Sequence, residues 1–170
     1  MIEPSPVTRS SLHRVSPIVA PMSVAVLPTR TWSDEQWERI KLGYEARGMD
    51  EKWNVFVEDE VAFLHRSWTG HGIFEASFSP VVGGGWRISA AAVESDPSRY
   101  RRSSDQYDRV MLELVLSGIV LGEPAVDLRA ELVAVTSQAS GRTDLPAGLI
   151  EHSALGDQPD RQGQLPGQDC

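Results

Sequence analysis

Apolar residues recur along this chain at two spacings, and the change from one to the other divides it into elements. After Ser33-Asp-Glu-Gln36, the positions Trp37, Ile40 and Tyr44 fall three and four apart, which is one stripe of a helix. Ser33 and Gln36 have capping-box spacing, Asp34 and Glu35 suit the positive end of the helix dipole, and Gly48 offers a stop. From Trp53 the runs shorten and become rich in β-branched and aromatic residues: Trp53 to Val57, Val61 to His65, Ile73 to Phe78 and Trp86 to Ala91. Glu58-Asp-Glu60 reads as an acidic hairpin tip. Thr69-Gly-His-Gly72 leads to the third run, and Pro80 with Gly83-Gly-Gly85 turns to the fourth. Short links between consecutive strands predict a four-stranded antiparallel meander.

The second half returns to helical spacing. Ser103-Ser-Asp-Gln106 repeats the capping-box pattern ahead of Tyr107 to Leu121. Val110, Met111, Leu114 and Val115 occupy one face, and Leu112, Leu116 and Ile119 make the rest apolar too. Such a helix is buried on more than one side, or it faces a partner, and pairing of two copies through 104–121 is one such arrangement. Gly122-Glu-Pro124 ends it, and Ala125, Leu128, Leu132 and Val135 share a face of a third helix. The expected class is α+β: one helix, a four-stranded antiparallel meander, and two following helices packed on one sheet face.

Composition sets the boundaries. All 12 aromatic residues lie between Trp32 and Tyr107, and 8 of the 11 prolines lie outside 31–137. Aromatic side chains supply most of the area a core can bury, so the expectation is one domain over 31–137. Residues 1–30 read as a disordered extension and 138–170 as a disordered acidic tail, with Met22 as an alternative start. Arg9 and Arg14 ahead of Ile18-Val-Ala imitate a leader, but Pro17, Pro21 and Pro28 interrupt the apolar stretch. No run approaches the ~18 apolar residues of a membrane span. The single cysteine, Cys170, allows no internal disulfide and no cysteine-based metal site, and the cytoplasm is the expected compartment.

Charge narrows the partners. The formal net charge is −8, which gives no drive toward nucleic acid or anionic lipid. The notable basic cluster is Arg99, Arg101 and Arg102, flanked by Asp96 and Asp105. The acidic surface suits a basic protein partner, and it suits ordinary solubility equally.

The polar residues that bracket the strands are the candidate ligand-binding set: Lys52, His65, Arg66, Trp68, Thr69, His71, Glu75 and Arg87. Alternation puts His65 and Ser67 on one face of the second strand and Arg66 and Trp68 on the other. Arg66, Glu75 and Arg87 on adjacent strands, with Trp68 as a flat wall, would suit an anionic ring-bearing ligand. Thr69-Gly-His-Gly72 adds backbone N–H groups and an imidazole. The blander alternative is a solvated Arg66–Glu75 ion pair across the strands. Lys52 either fixes the first helix through Glu58 or Glu75, or lines a site. No Gly-x-Ser-x-Gly turn supports a nucleophilic serine, and His65, His71 and Glu75 match no metal motif. Gly83-Gly-Gly85 precedes a strand, whereas phosphate-cradling loops follow one. No metal and no cofactor are expected, and a catalytic role is not assigned.

Met49-Asp-Glu-Lys-Trp53 followed by Leu64-His-Arg-Ser-Trp-Thr-Gly70, after a helix carrying Trp32, Trp37 and Ile40, resembles the pattern of a group of small, largely uncharacterised bacterial proteins. The resemblance covers roughly 32–133. It implies settings near ADP-ribose- or NAD-handling domains and in toxin–immunity systems. Two functions follow as expectations. The first is a non-enzymatic binding or regulatory domain, immunity-like, acting by protein contact through the acidic surface and the apolar second helix. The second is a small-molecule site for an ADP-ribose- or nucleotide-like ligand, built from the polar residues of 49–53 and 65–75.

Overall fold

The computed structural model describes residues 5–48, 50–102, 104–140, 147, 150 and 154–156. Strand β1 is Pro21–Ser23, helix α1 Asp34–Leu42, β2 Trp53–Glu58, β3 Val61–Arg66, β4 Gly72–Pro80 and β5 Trp86–Glu94. Helix α2, Asp105–Leu114, continues as a π-helical stretch over Val115–Val120, and α3 is Val126–Ser140. The strands form one antiparallel sheet in the order β1-β5-β4-β3-β2. Among the described residues the named elements make an α+β fold with α-helices α1 to α3 and a five-stranded sheet, where the sequence pattern predicts four strands.

The additional strand comes from the segment read as a disordered extension. Pro21-Met-Ser23 has no strand propensity of its own and takes its shape from its partner, facing Glu94, Val93 and Ala92. The Glu94 carboxylate, buried at the end of β5, accepts the backbone N–H groups of Val19 at 3.0 Å and Ala20 at 2.9 Å. A chain beginning at Met22 would lack both donors. Upstream, Arg9 pairs with Glu58 at 2.9 Å and lies over the rings of Phe56 and Phe63, and Leu12 is buried. Residues 7–20 thus cover the sheet face that the helices leave open. That is why Trp53, Asn54, Val55 and Phe56 are all buried in β2, with no alternation.

Helix α1 begins at the expected capping box, Ser33 with Gln36, but ends at Gly43 and not at Gly48. Gly43 has φ +73, and a Cβ there would meet the Val55 carbonyl oxygen at 2.3 Å. The chain turns at that point so that Tyr44 pairs with Val55 on the outer edge of β2. Between β2 and β3, Asp59 and Glu60 both take positive φ, 49° and 69°, which gives the hairpin a two-residue turn in the left-handed region.

The opposite sheet face carries the main core. Trp53, Val55, Leu64, Phe74, Ala76, Phe78, Ile88 and Val93 pack there against Trp37 and Ile40 of α1. Val110, Met111, Leu112, Leu114, Val115, Leu116 and Ile119 join the same cluster. The apolar side chains of 105–120 named above are thus buried within the chain's own core. Its cap is Ser104, whose side chain accepts the Tyr107 N–H at 3.0 Å, one residue beyond the expected Ser103, which lies outside the described residues. The reading of 138–170 as a disordered tail is also too broad. Ile150, Ala154 and Leu155 are buried in the core, and Gly156 bridges to Glu51. The other residues beyond 140, except 147, lie outside the described set.

Candidate functional site

The candidate site lies at the end of the sheet where β2 starts and β3 stops. A cavity of about 300 Å³ is lined by Lys52, Arg66, Ser67, Trp68, Thr69 and Arg99. The turn from β3 to β4 builds one wall. Arg66 N–H donates to the His71 carbonyl, and Gly70 N–H to the Arg66 carbonyl, at 3.0 and 2.9 Å. Ser67 ties this turn to β2, its N–H donating to the Lys52 carbonyl at 2.9 Å and its hydroxyl to the Glu51 carbonyl at 2.6 Å. Gly70 has φ +76 and sits against Arg14, where a Cβ would meet backbone at 2.6 Å. A side chain at 70 would clash with Arg14 and displace the turn.

Arg66 lies directly across from Trp53 in the β2–β3 register. Its guanidinium carbon is 4.5 Å from the Trp53 ring centroid and 5.8 Å from that of Tyr100, a cation–π stack. The hydrogen bond found for its guanidinium goes from Nη1 to the Ala154 carbonyl, at a long 3.4 Å. Burial pushes its pKa down, against the opposing pull of the Tyr100 and Tyr107 hydroxyls. Arg99 arrives from the loop after β5, with Nη1 reaching Ser16 Oγ at 3.3 Å and the Pro17 carbonyl at 3.4 Å. Among the described residues, ion pairs engage Arg9, Arg30, Lys41, Arg47, Arg102 and Arg109, and none involves Lys52, Arg66 or Arg99. Three partly buried cations thus line one cavity, with no carboxylate in its described lining, on a chain of net charge −8; Arg99 also lies within electrostatic reach of Glu94 and Asp96.

Trp68 stands at the rim with 59% of its surface exposed, well above the other tryptophans. Thr69 Oγ1 accepts the His71 N–H at 3.1 Å, which leaves the hydroxyl proton to donate elsewhere. Beneath the floor, the buried Glu51 carboxylate accepts from Tyr44 Oη at 2.7 Å and from the Arg47 N–H at 2.8 Å, and it also takes the Arg47 guanidinium. Burial works to raise its pKa, but these hydrogen bonds outweigh it and hold the group below the usual carboxylate range. Glu51 is therefore occupied in anchoring the strand start.

Of the eight candidate residues, Lys52, Arg66, Trp68 and Thr69 converge on the cavity. His65 does not. It is 2% exposed on the opposite sheet face, against the Phe56 ring, and Nδ1 lies 2.9 Å from the Gly70 carbonyl. A carbonyl only accepts, so Nδ1 carries the proton. Burial lowers the His65 pKa, and the ring is a neutral structural group that positions the turn. His71 is held by a bridge to Ser16 and lies outside the lining.

The expected grouping of Arg66, Glu75 and Arg87 does not form. The register sets Glu75 opposite Phe63, on the face away from Arg66, and Arg87 opposite Ser79 near the far end. For the same reason there is no Arg66–Glu75 pair, and Glu58, offered as a partner for Lys52, is taken by Arg9. Arg99 and Ser67 are the lining residues outside the candidate set; alternation sets Ser67 on the face of His65, but the strand ends at Arg66 and Ser67 begins the turn, which brings it to the cavity. Arg99 belongs to the basic cluster noted in the sequence, whose Arg102 is spent on Asp105 and Asp108. Among the described residues, no group of three or more His, Cys, Asp or Glu side chains converges as a metal site would require. No described helix is long and apolar enough to cross a membrane.

Comparisons of the chain with protein-family models, with curated proteins and with solved structures return no match. The functional reading therefore rests on this geometry alone.

Proposed function

We propose that the chain is a binding domain for a small anionic molecule, seated in the cavity between the start of β2 and the β3–β4 turn. One observation carries this: Arg66, Lys52 and Arg99 line a single cavity and form no ion pair among the described residues. Partly burying a guanidinium away from any carboxylate is costly, and a ligand anion would offset that cost by charge-assisted hydrogen bonds. The described lining holds no histidine and no carboxylate. It supplies charge and hydrogen-bond donors, which suits recognition over proton-transfer chemistry.

Thermal denaturation at constant ionic strength tests the reading, using phosphate, pyrophosphate and citrate against a chloride control. A ligand at 100 times its Kd stabilises by about 2.7 kcal/mol, a rise of several degrees. Arg99→Gln, in the loop after β5 and engaged in long bonds to Ser16 and Pro17, should still fold and lose most of that rise. Equal melting temperatures in every anion would reject the proposal.

A further inference from the structure

Resting on the anion-binding reading, we infer that the ligand is a phosphate monoester carrying one planar ring, of mononucleotide size. Three features of the lining narrow the class. The first is charge. Three cations stand without a carboxylate among them, and a phosphate monoester brings a charge of roughly −1.5 to −2 and three acceptor oxygens near neutrality. A monocarboxylate would leave most of the positive charge unmatched. Arg66 offers a planar fork of donors, and Thr69 retains a hydroxyl proton after accepting from His71.

The second feature is the mixture of donor and acceptor. The Ser67 hydroxyl has given its proton to the Glu51 carbonyl at 2.6 Å. What it offers a ligand is its oxygen, which pairs with a sugar hydroxyl or a ring amine and repels a phosphate oxygen. The ligand is therefore anionic at one end and a hydrogen-bond donor elsewhere.

The third feature is shape. Trp68 lines the cavity with more than half of its surface exposed, a flat face beside the cations. Aromatic platforms next to basic grooves hold nucleobases by stacking, with little dependence on which base is present. The cavity, about 300 Å³, sits at the lower end of the ~300–1,000 Å³ range of small-molecule sites. That volume suits one ring with one phosphate and is small for a dinucleotide or ADP-ribose.

Titration calorimetry on the full chain tests this, with ribose 5-phosphate, the four 5′-ribonucleoside monophosphates, adenosine and ADP-ribose as probes. At least one monophosphate should bind on the order of ten-fold more tightly than ribose 5-phosphate, the gain expected of one stacked ring. Trp68→Ala should erase that gain, so that in the variant the monophosphates bind no more tightly than ribose 5-phosphate. Equal affinities for ribose 5-phosphate and all four nucleotides would overturn the ring while leaving anion binding intact. The same holds if the nucleotide preference survives in Trp68→Ala. ADP-ribose binding ten-fold more tightly than any monophosphate would overturn the size assignment, and adenosine binding as tightly as its monophosphate would overturn the phosphate. Absence of binding by every probe, together with no stabilisation by phosphate in thermal denaturation, would remove both this inference and the reading beneath it.

Discussion

Two arginines in this protein lie over buried tryptophans, and their surroundings differ in one respect. Arg30 lies 5.3 Å from the Trp32 ring and makes two hydrogen bonds to the Glu123 carboxylate, at 2.8 and 2.9 Å, with a third to Ser117 Oγ at 2.8 Å. Arg66 lies 4.5 Å from the Trp53 ring and reaches a carbonyl at 3.4 Å. The Glu123 carboxylate pushes the Arg30 pKa up, while burial pushes that of Arg66 down. The first arginine completes a structural network that also takes the Trp32 indole N–H. The second has the same stacking and no anion, and it faces a cavity with two more cations. On the proposed reading, a stacked arginine is a scaffold when its anion is built in, and a receptor when the anion must come from outside.

Removing each arginine should expose that contrast. Arg30→Met leaves the Glu123 carboxylate with the Gln36 side-chain N–H and the Ser117 hydroxyl with the Trp32 indole N–H, each at a long 3.3 Å, and removes the charge that pairs with Glu123, so it should cost about 2–3 kcal/mol in urea denaturation. Arg66→Met keeps the packing against Trp53 and strands no carboxylate, so it should change stability by less than about 1 kcal/mol. A larger loss at Arg66 than at Arg30 would break the comparison.

Much of this architecture was legible in the sequence, and the failures have physical causes. The strands β2 to β5 announce themselves through Val55, Val57, Val61, Phe63, Ile73, Trp86 and Ile88, whose shapes favour an extended chain. Strand β1 does not, because Pro21-Met-Ser23 is extended only through its pairing with β5. Helix α1 reads past its end because Tyr44 continues the stripe, while Gly43 is selected by contact with Val55, a distant residue. Four of the six lining residues are legible by residue type, and alternation puts Arg66 on the side opposite His65; it misplaces Ser67, because β3 ends at Arg66 and a turn follows. Glu75 and Arg87 were misplaced because register, not strand order, decides which side chains meet. Arg99 was visible as a basic residue, but only the fold separates it from Arg102, which is spent on Asp108.

Acid should weaken the scaffold in two stages, and the sign follows from which state holds more protons. Burial keeps His65 below its ordinary value. As the pH falls through about 6.5, the unfolded chain therefore takes a proton that the fold refuses, and stability drops. Glu51 and Glu94 are also held below the carboxylate range, with burial opposing and hydrogen bonds outweighing it. Their stabilisation is complete above about pH 4.5 and is lost as the pH falls through the folded values. Denaturation midpoints at pH 7.5, 5.5 and 4 check both stages, and His65→Phe should remove the first and keep the second. A single decline confined below pH 4.5 in the parent protein would contradict the assignment of His65 as a neutral buried ring.

The smallest effect belongs to the far end of the sheet. Val82 is fully exposed in the turn between β4 and β5, and Val82→Ser should move stability by no more than about 0.5 kcal/mol. It should also leave the melting-temperature rise in phosphate untouched. A changed phosphate response in that variant would mean that anions act on the surface at large and not at one cavity.

The central claim is that Arg66 and its two neighbouring cations form a receptor for an anion. The most direct measurement is a phosphate titration at constant ionic strength, followed by two-dimensional NMR of the backbone and of the arginine and tryptophan side-chain N–H groups. The account predicts saturable shifts at Lys52, Arg66, Trp68, Thr69 and Arg99, with Arg30, Asp59, Glu60 and Val82 unmoved. Shifts spread evenly over all arginines, or none at Arg66, would contradict it.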